Sequence, residues 1–126
     1  MIDKVPLVSV VDDDISVRES LPPLLRHVGY AAEAFSSAEA FLASDRVAET
    51  RCLVLDVAMP GMSGPDLQQE LAHRSPAIPI VYITGQGDQT LRSRLLALGA
   101  VDCLFKPFSE DALLAALDAA LRTSSG

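Results

Sequence analysis

Basic residues are scarce in this sequence. Lys and Arg together number 10 against 17 Asp and Glu, which gives a formal net charge of -7 at pH 7 and a pI of about 4.6. A protein that binds a nucleic-acid backbone needs clustered Lys and Arg to neutralise the phosphates. We therefore expect no direct nucleic-acid binding by this chain, and any action on DNA would require another domain.

Long apolar runs and closely spaced cysteines are also missing. No stretch approaches the roughly 18–20 apolar residues of a membrane-spanning helix, and the N-terminus meets acidic residues too early for a secretory signal. The two cysteines, Cys52 and Cys103, lie in apolar runs without CxxC or metal-ligand spacing. We interpret them as reduced core thiols of a cytoplasmic protein with no membrane contact. A disulfide between them is the less favoured alternative.

What is present is typical of one globular domain. The 126 residues, 49% of them hydrophobic, are enough to bury a core. Five short apolar stretches rich in β-branched residues alternate with helical patterns, which predicts a parallel sheet covered by helices on both faces. The predicted strands cover residues Leu7–Val11, 30–35, 52–55, 78–83 and 101–105. The sequence therefore predicts an α/β, doubly wound fold with five strands and five helices.

Local patterns refine this expectation at the helix ends. Ser36 and Glu39 fit a capping box. Pro22 and Pro23 lie inside the first predicted helix and lack a backbone N–H, which indicates a kink or a late helix start. The single domain is expected to span 1–126, with a core of about 7–122. The last four residues, 123–126, are polar, and we interpret them as a frayed end or the start of a linker.

Polar residues follow four of the predicted strands at the point where each strand ends. They are Asp12-Asp13-Asp14 after the first strand, Asp56 after the third, Thr84-Gly85 after the fourth and Lys106-Pro107 after the fifth. The carboxyl ends of parallel strands share one edge of the sheet, which is where ligands bind in open α/β folds. Taken one at a time, these residues are ordinary turn formers or solvated charges, and Asp12 has the alternative role of capping the first helix. Together they indicate a binding site.

The residue types at this edge predict a particular chemistry. Several carboxylates in one crevice repel each other unless a cation joins them. Asp12, Asp13 and Asp56 offer hard oxygen ligands, too few for a closed calcium cage but suited to a Mg²⁺ that keeps some of its waters. A carboxylate nucleophile, a metal, the Thr84 hydroxyl and the Lys106 ammonium are the components needed for phosphoryl transfer to Asp56.

Four motifs occur in a characteristic order: VVDDD, LVLDVAMPGMSGPDL, ITGQGD and GAVDCLFKPF. With them the chain resembles the receiver domain of a two-component response regulator, from about Leu7 to Leu121. The stretches SAEAFL, MPGMSG, TGQGD and GAVD are most similar to regulators of the nitrogen-fixation and nodulation type, whose output is a helix-turn-helix DNA-binding domain. The resemblance implies a flavodoxin-like receiver fold with strand order 2-1-3-4-5.

The resemblance also implies roles for the residues at the sheet edge. Asp56 is the implied phosphorylation site and receives its phosphoryl group from a sensor histidine kinase. Thr84 and Lys106 contact phosphoryl oxygens, and Pro107 supplies a cis peptide bond after the lysine. Mg²⁺ is the implied cofactor. Its implied protein ligands are Asp12, Asp13, Asp56 and the backbone carbonyl of Ala58.

Two positions depart from the family's common pattern. Cys103 stands three residues before the lysine, where the family commonly has a Tyr or Phe that moves inward together with the threonine. One hypothesis is that Phe105, on the same strand face, or Tyr82 on the fourth strand replaces this aromatic switch; ordinary packing of Phe105 is the favoured alternative. Ala58 lacks a polar side chain that would place an attacking water, which predicts slow self-hydrolysis of the phosphoryl-aspartate.

The predicted function is that of a phosphorylated signalling switch rather than an enzyme acting on external substrates. Phosphorylation is expected to shift the surface of the fourth helix, fifth strand and fifth helix, control transcription through a C-terminal output domain and promote homodimer formation. The first alternative is an interaction module that does not use phosphate. The second is an aspartyl-phosphate phosphohydrolase, which Ala58 disfavours because such enzymes typically carry a second Asp at that position.

Overall fold

The computed structural model of the protein describes residues 5–74 and 77–124. Within them five parallel strands form one sheet in the order β2-β1-β3-β4-β5. The strands are β1 (Leu7–Val11), β2 (Ala31–Phe35), β3 (Thr50–Asp56), β4 (Ile80–Thr84) and β5 (Asp102–Phe105). The helices are α1 (Ile15–His27), α2 (Ala38–Ala43), α3 (Gly64–His73), α4 (Gln89–Ala97) and α5 (Glu110–Ser124), with a short 3-10 helix at Val47–Glu49. The predicted doubly wound fold and its strand order are confirmed.

The sheet is apolar on both faces, as expected for strands covered by helices on each side. Val8 and Val10 of β1 pack into a core shared with α1 and α5, whereas Val11 packs into a second core shared with α2, α3 and α4. Alternation along the strands also separates the two cysteines, because Cys52 faces the first core and Cys103 the second. Both thiols are buried and free, so the disulfide alternative is wrong.

Helix α1 excludes one of the two alternatives predicted from Pro22 and Pro23, a late helix start. It begins at Ile15, directly after the N-cap Asp14, whose Oδ1 accepts a hydrogen bond of 2.9 Å from the backbone N–H of Ser16. The helix then continues through Pro22 and Pro23, so a late start is wrong. The cap satisfies a backbone donor in the first turn and thereby fixes the beginning of the helix well before the prolines.

The capping box predicted at Ser36 and Glu39 is wrong by one residue. Ser37 is the N-cap of α2, and its side chain accepts a hydrogen bond of 3.0 Å from the N–H of Ala40. The carboxylate of Glu39 instead accepts a hydrogen bond of 3.0 Å from the N–H of Met62, in the loop that follows β3. A tertiary partner has therefore replaced the local one that the sequence spacing favoured.

At the C-terminal end, α5 includes residues 123 and 124, so the first half of the predicted polar tail is helical; residues 125 and 126 lie outside the described part of the chain. Among the described residues, no helix has the length and the apolar character that crossing a membrane requires.

Candidate functional site

The polar residues follow β1, β3, β4 and β5, and the register of these four strands places their carboxyl ends next to one another. Val11 pairs with Leu55, so Asp12 and Asp56, which follow them, lie side by side at the carboxyl edge of β1 and β3. Asp56 pairs in turn with Ile83, the residue before Thr84 on β4. Thr84 and the last residue of β5 are also register partners, and Lys106 directly follows that residue. One edge of the sheet thus gathers all these groups, as the strand ends predicted.

Three carboxylates converge at this edge. Asp12, Asp13 and Asp56 each offer an oxygen, and these oxygens all lie within 4.8 Å of one another. The Asp12 side chain is fully buried and Asp56 is 7% exposed, whereas Asp13 is open to solvent. Burial, followed by the charge of Asp12, raises the pKa of Asp56 to about 7, although the Lys106 ammonium opposes the rise. Hard oxygen donors crowded in this way fit a divalent cation that prefers oxygen ligands.

Asp12 is the most constrained of the three. Its Oδ2 accepts a hydrogen bond of 2.9 Å from Lys106 Nζ, and its Oδ1 accepts one of 2.9 Å from the N–H of Asp14. The guanidinium of Arg18 donates to the Asp12 carbonyl at 3.0 Å. The helix-capping alternative for Asp12 is wrong, because Asp14 is the N-cap of α1. The first two carboxylates of the DDD run therefore belong to the carboxylate cluster, and the third caps the helix.

Lys106 is held at the site from its backbone as well as its side chain. Its N–H donates a hydrogen bond of 2.8 Å to the Thr84 carbonyl, and the peptide bond between Lys106 and Pro107 is cis. Burial by itself lowers the pKa of the Lys106 ammonium, but the hydrogen bond and charge of Asp12, together with Asp56 and Asp14, outweigh burial, and the net shift is upward. The ammonium is therefore a permanent positive charge beside the carboxylates.

Thr84 and Phe105 both pack closely against Gly87, in the loop that joins β4 to α4. Thr84 is 4% exposed, and its hydroxyl accepts a hydrogen bond of 3.2 Å from the N–H of Gln86. A Cβ built on Gly87 would lie 2.6 Å from the Thr84 methyl group and 2.5 Å from Cε1 of Phe105. The backbone of Gly87 thus lies between a site residue and the aromatic ring, at a distance that only glycine allows.

The β3–α3 loop carries Ala58, which is exposed two residues beyond Asp56. The loop is closed at its base by a 2.9 Å hydrogen bond from the Gly64 N–H to the Val57 carbonyl. The sequence did not predict the contacts of Glu39 with this loop and of Arg18 with the Asp12 backbone. The local pattern at Glu39 indicated a capping box, whereas its partner Met62 lies 23 residues away. Arg18 reaches a carbonyl only six residues before it, but no capping or spacing pattern marks this contact.

A family model described as the response regulator receiver domain matches residues 8–118. The chain belongs to this family. It is 51% identical over 114 residues to nodulation protein W of Bradyrhizobium diazoefficiens, covering 90% of this chain and 50% of that protein. It is 43% identical over 122 residues to the response regulator TodT of Pseudomonas putida, covering 97% and 54%. The chain thus spans about half the length of these curated relatives.

Solved receiver structures agree with this assignment. The response regulator StyR superposes with a TM-score of 0.87 at 48% identity, covering 97% of this chain and 62% of that one. The structure of FixJ-N superposes with a TM-score of 0.83 at 37% identity, covering 95% and 96%. The chain is therefore the receiver domain of a two-component response regulator, as the resemblance implied.

Proposed function

We propose that this receiver domain is a phosphoacceptor switch, in which a sensor histidine kinase transfers a phosphoryl group to Asp56. The observation that carries the proposal is the convergence of the three carboxylates with a lysine 2.9 Å from Asp12. An interaction module that does not use phosphate would have no need to gather three carboxylates at one strand edge, where burial and the charge of Asp12 raise the pKa of Asp56.

The donor set supports magnesium as the cofactor. Asp12, Asp13, Asp56 and the carbonyl of Ala58 would hold the ion. When bound, Mg²⁺ supplies positive charge that offsets the carboxylate repulsion and the charge of the incoming phosphoryl oxygens. Because the pKa of Asp56 is about 7 without an ion, metal binding and proton release at this carboxylate are coupled.

The side chains of the chain itself would carry the transfer. The Asp56 carboxylate oxygen attacks phosphorus, the new O–P bond forms and the P–N bond of the kinase phosphohistidine breaks. Lys106 has its charge fixed by Asp12 and would neutralise a phosphoryl oxygen. The Thr84 hydroxyl, which here accepts a hydrogen bond from the Gln86 N–H, would turn to donate a hydrogen bond to a second phosphoryl oxygen.

Movement of Thr84 would be transmitted through the β4–α4 loop. Gly87 separates the Thr84 methyl from the Phe105 ring with no spare room, so a shift of Thr84 requires the loop or the ring to move as well. Cys103 is 3% exposed and too small to act as an aromatic reporter of this movement. Phe105 thus becomes a contact of the switch loop in addition to a packing residue.

We propose transcriptional output, because one relative is the transcriptional regulatory protein FixJ of Azorhizobium caulinodans, 43% identical over 118 residues, of which this chain covers 56%. A C-terminal DNA-binding domain would then follow the receiver region. The surface of α4, β5 and α5, which carries the Arg92–Asp102 ion pair at 2.8 Å, is the proposed homodimer interface in the phosphorylated state.

Incubation with acetyl phosphate and Mg²⁺ tests the phosphoacceptor function. We expect the intact mass to rise by one phosphoryl group in the wild type and in the control variant Asp45→Asn. The Asp45 side chain is 95% exposed, its ion-pair partner is Arg46 at 3.9 Å, and it is not a member of the carboxylate cluster. The adduct should be lost in Asp56→Asn and in the presence of EDTA. A phosphate-independent module would give no adduct and would not bind beryllofluoride, whereas rapid repeated turnover of acetyl phosphate would indicate a hydrolase.

A further inference from the structure

A hydrogen-bond chain connects β4 to the end of α4. The Tyr82 hydroxyl donates to Oε1 of Gln68 on α3 at 2.6 Å, and Nε2 of the same amide donates to the Leu98 carbonyl at 3.0 Å. Leu98 is the C-cap of α4. We call this series the Tyr82–Gln68–Leu98 chain. The single amide of Gln68 uses its acceptor on one side and its donor on the other, so the two bonds depend on one side-chain orientation.

The first residue of this chain is firmly placed. Tyr82 is fully buried, and a Cβ on Gly64 would lie 2.9 Å from Cε1 of the ring, so the start of α3 is packed directly over it. The same Cβ would lie 2.4 Å from the Asp56 carbonyl. On β5 the register partner of Tyr82 is Cys103, whose small side chain faces the same core. The bulky aromatic ring is therefore on β4, beside the strand that carries the phosphoacceptor.

The last residue of the chain is a backbone group that α4 cannot satisfy internally. The final carbonyls of a helix have no partner within the helix and need one from elsewhere. Gln68 provides it for Leu98. The apolar contacts of this helix are limited, because Leu95 is the one buried residue between Gln89 and Ala97 and Leu91 packs against the same core while only partly buried. The hydrogen bond from Gln68 to Leu98 therefore contributes more to the position of α4 than the same bond would in a helix with many buried apolar residues.

We infer that Tyr82 and Gln68 are positioning residues that hold α4 in the arrangement seen here and oppose its shift on phosphorylation. This inference rests on the proposed switch function. The loop that begins at Thr84, the residue proposed to bind a phosphoryl oxygen, leads into the N-terminal end of α4. The C-terminal end of α4 is held by the hydrogen bond from Gln68. Weakening the chain lowers the free-energy difference between the two arrangements and raises the population competent to bind a phosphoryl mimic.

Tyr82→Phe is the most selective variant, because it removes one hydroxyl and leaves a buried ring of nearly the same shape. Gln68, which is partly exposed, can then bond to water. Loss of a hydrogen bond of ordinary strength changes such an equilibrium by roughly three- to tenfold. We expect beryllofluoride, in the presence of Mg²⁺, to bind Tyr82→Phe tighter by about this factor. Gln68→Leu should behave in the same way, and the double variant should show no further gain.

Tyr30→Phe is the matched control, since it removes the hydroxyl of the other tyrosine, which packs against the opposite core. It should bind beryllofluoride as the wild type does. Hydrogen exchange provides a readout separate from ligand affinity: in the unliganded Tyr82→Phe protein, amides near the end of α4 should exchange faster, while those of β1 and α5 stay protected.

Unchanged or weaker beryllofluoride binding in both Tyr82→Phe and Gln68→Leu would overturn the inference, as would additive gains in the double variant. A rise in exchange that includes β1 would indicate general loosening of the fold and also count against it. If the wild type itself fails to bind beryllofluoride, the proposed function fails; if the wild type binds it and the variants match, only the positioning role fails.

Discussion

Lys106 Nζ lies 2.9 Å from Oδ2 of the fully buried Asp12. The ammonium therefore neutralises part of the acidic cluster in the same place where a divalent cation would do so. A bound divalent cation and Lys106 would compete for one set of carboxylates, and this competition would make the lysine's contribution measurable without any phosphodonor.

Replacing Lys106 by Met should strengthen Mg²⁺ binding severalfold, because it removes a positive charge from the cluster and leaves Oδ2 of the buried Asp12 without its ion-pair partner. The same variant should form the phosphoryl adduct more slowly, since it lacks the cation that we propose to neutralise a phosphoryl oxygen. Isothermal titration calorimetry with Mg²⁺ measures the first effect and the rate of adduct formation the second. Weaker metal binding would contradict the competition.

The raised pKa of Asp56 predicts a stability that depends on pH in the metal-free protein. The folded state holds this proton up to a pH of about 7, whereas the unfolded state releases it near the ordinary value of 3.8, so stability is lost as pH rises between the two. Asp56→Asn removes this loss of stability at high pH, because an amide side chain does not titrate. We expect this variant to raise the free energy of unfolding by up to about 4 kcal/mol at pH 8 and to have little effect near pH 4.

Urea unfolding in EDTA at both pH values measures this difference, and saturating Mg²⁺ should reduce the advantage of Asp56→Asn at pH 8. A constant difference between variant and wild type across the pH range would show that the carboxyl of Asp56 is not perturbed in the folded protein.

Ala58 predicts a long-lived phosphoryl-aspartate. The methyl side chain two residues beyond Asp56 offers nothing to orient an attacking water, so introducing an amide with Ala58→Asn should shorten the half-life of the adduct severalfold. Loss of the adduct mass after removal of acetyl phosphate gives the half-life directly. A wild-type half-life of seconds, or one that Ala58→Asn leaves unchanged, would refute this account of position 58.

Gly87 predicts a steric test of the switch loop. Gly87→Ala forces a Cβ to within 2.5 Å of the Phe105 ring and should destabilise the fold by about 1–3 kcal/mol. Gly85→Ala is the matched control, because its Cβ would come no nearer than 4.0 Å to the Lys106 side chain. Adding Phe105→Leu to Gly87→Ala should recover part of the stability in thermal unfolding. Equal losses in the two glycine variants would argue against the close contact.

The sequence predicted the fold and the convergence of the polar strand ends because both depend on regular patterns. Apolar runs located five strands, and the rule that parallel strands end at one edge brought Asp12, Asp56 and Lys106 together. Patterns failed where a tertiary partner competed with a local one. Glu39 accepts a hydrogen bond from the Met62 N–H instead of forming the predicted capping box. Gln68 forms hydrogen bonds with Tyr82 on β4 and with Leu98 at the end of α4. Spacing along one helix contains no information about such partners.

The central claim is that Asp56 is the residue that accepts the phosphoryl group. Its most direct test is borohydride reduction of the protein after acetyl phosphate treatment, followed by peptide mass mapping, because reduction of an acyl phosphate converts the aspartate to homoserine. We predict homoserine at position 56 alone, and only when Mg²⁺ is present. Homoserine at Asp12 or Asp13, or no conversion in a protein that binds Mg²⁺, would contradict the account.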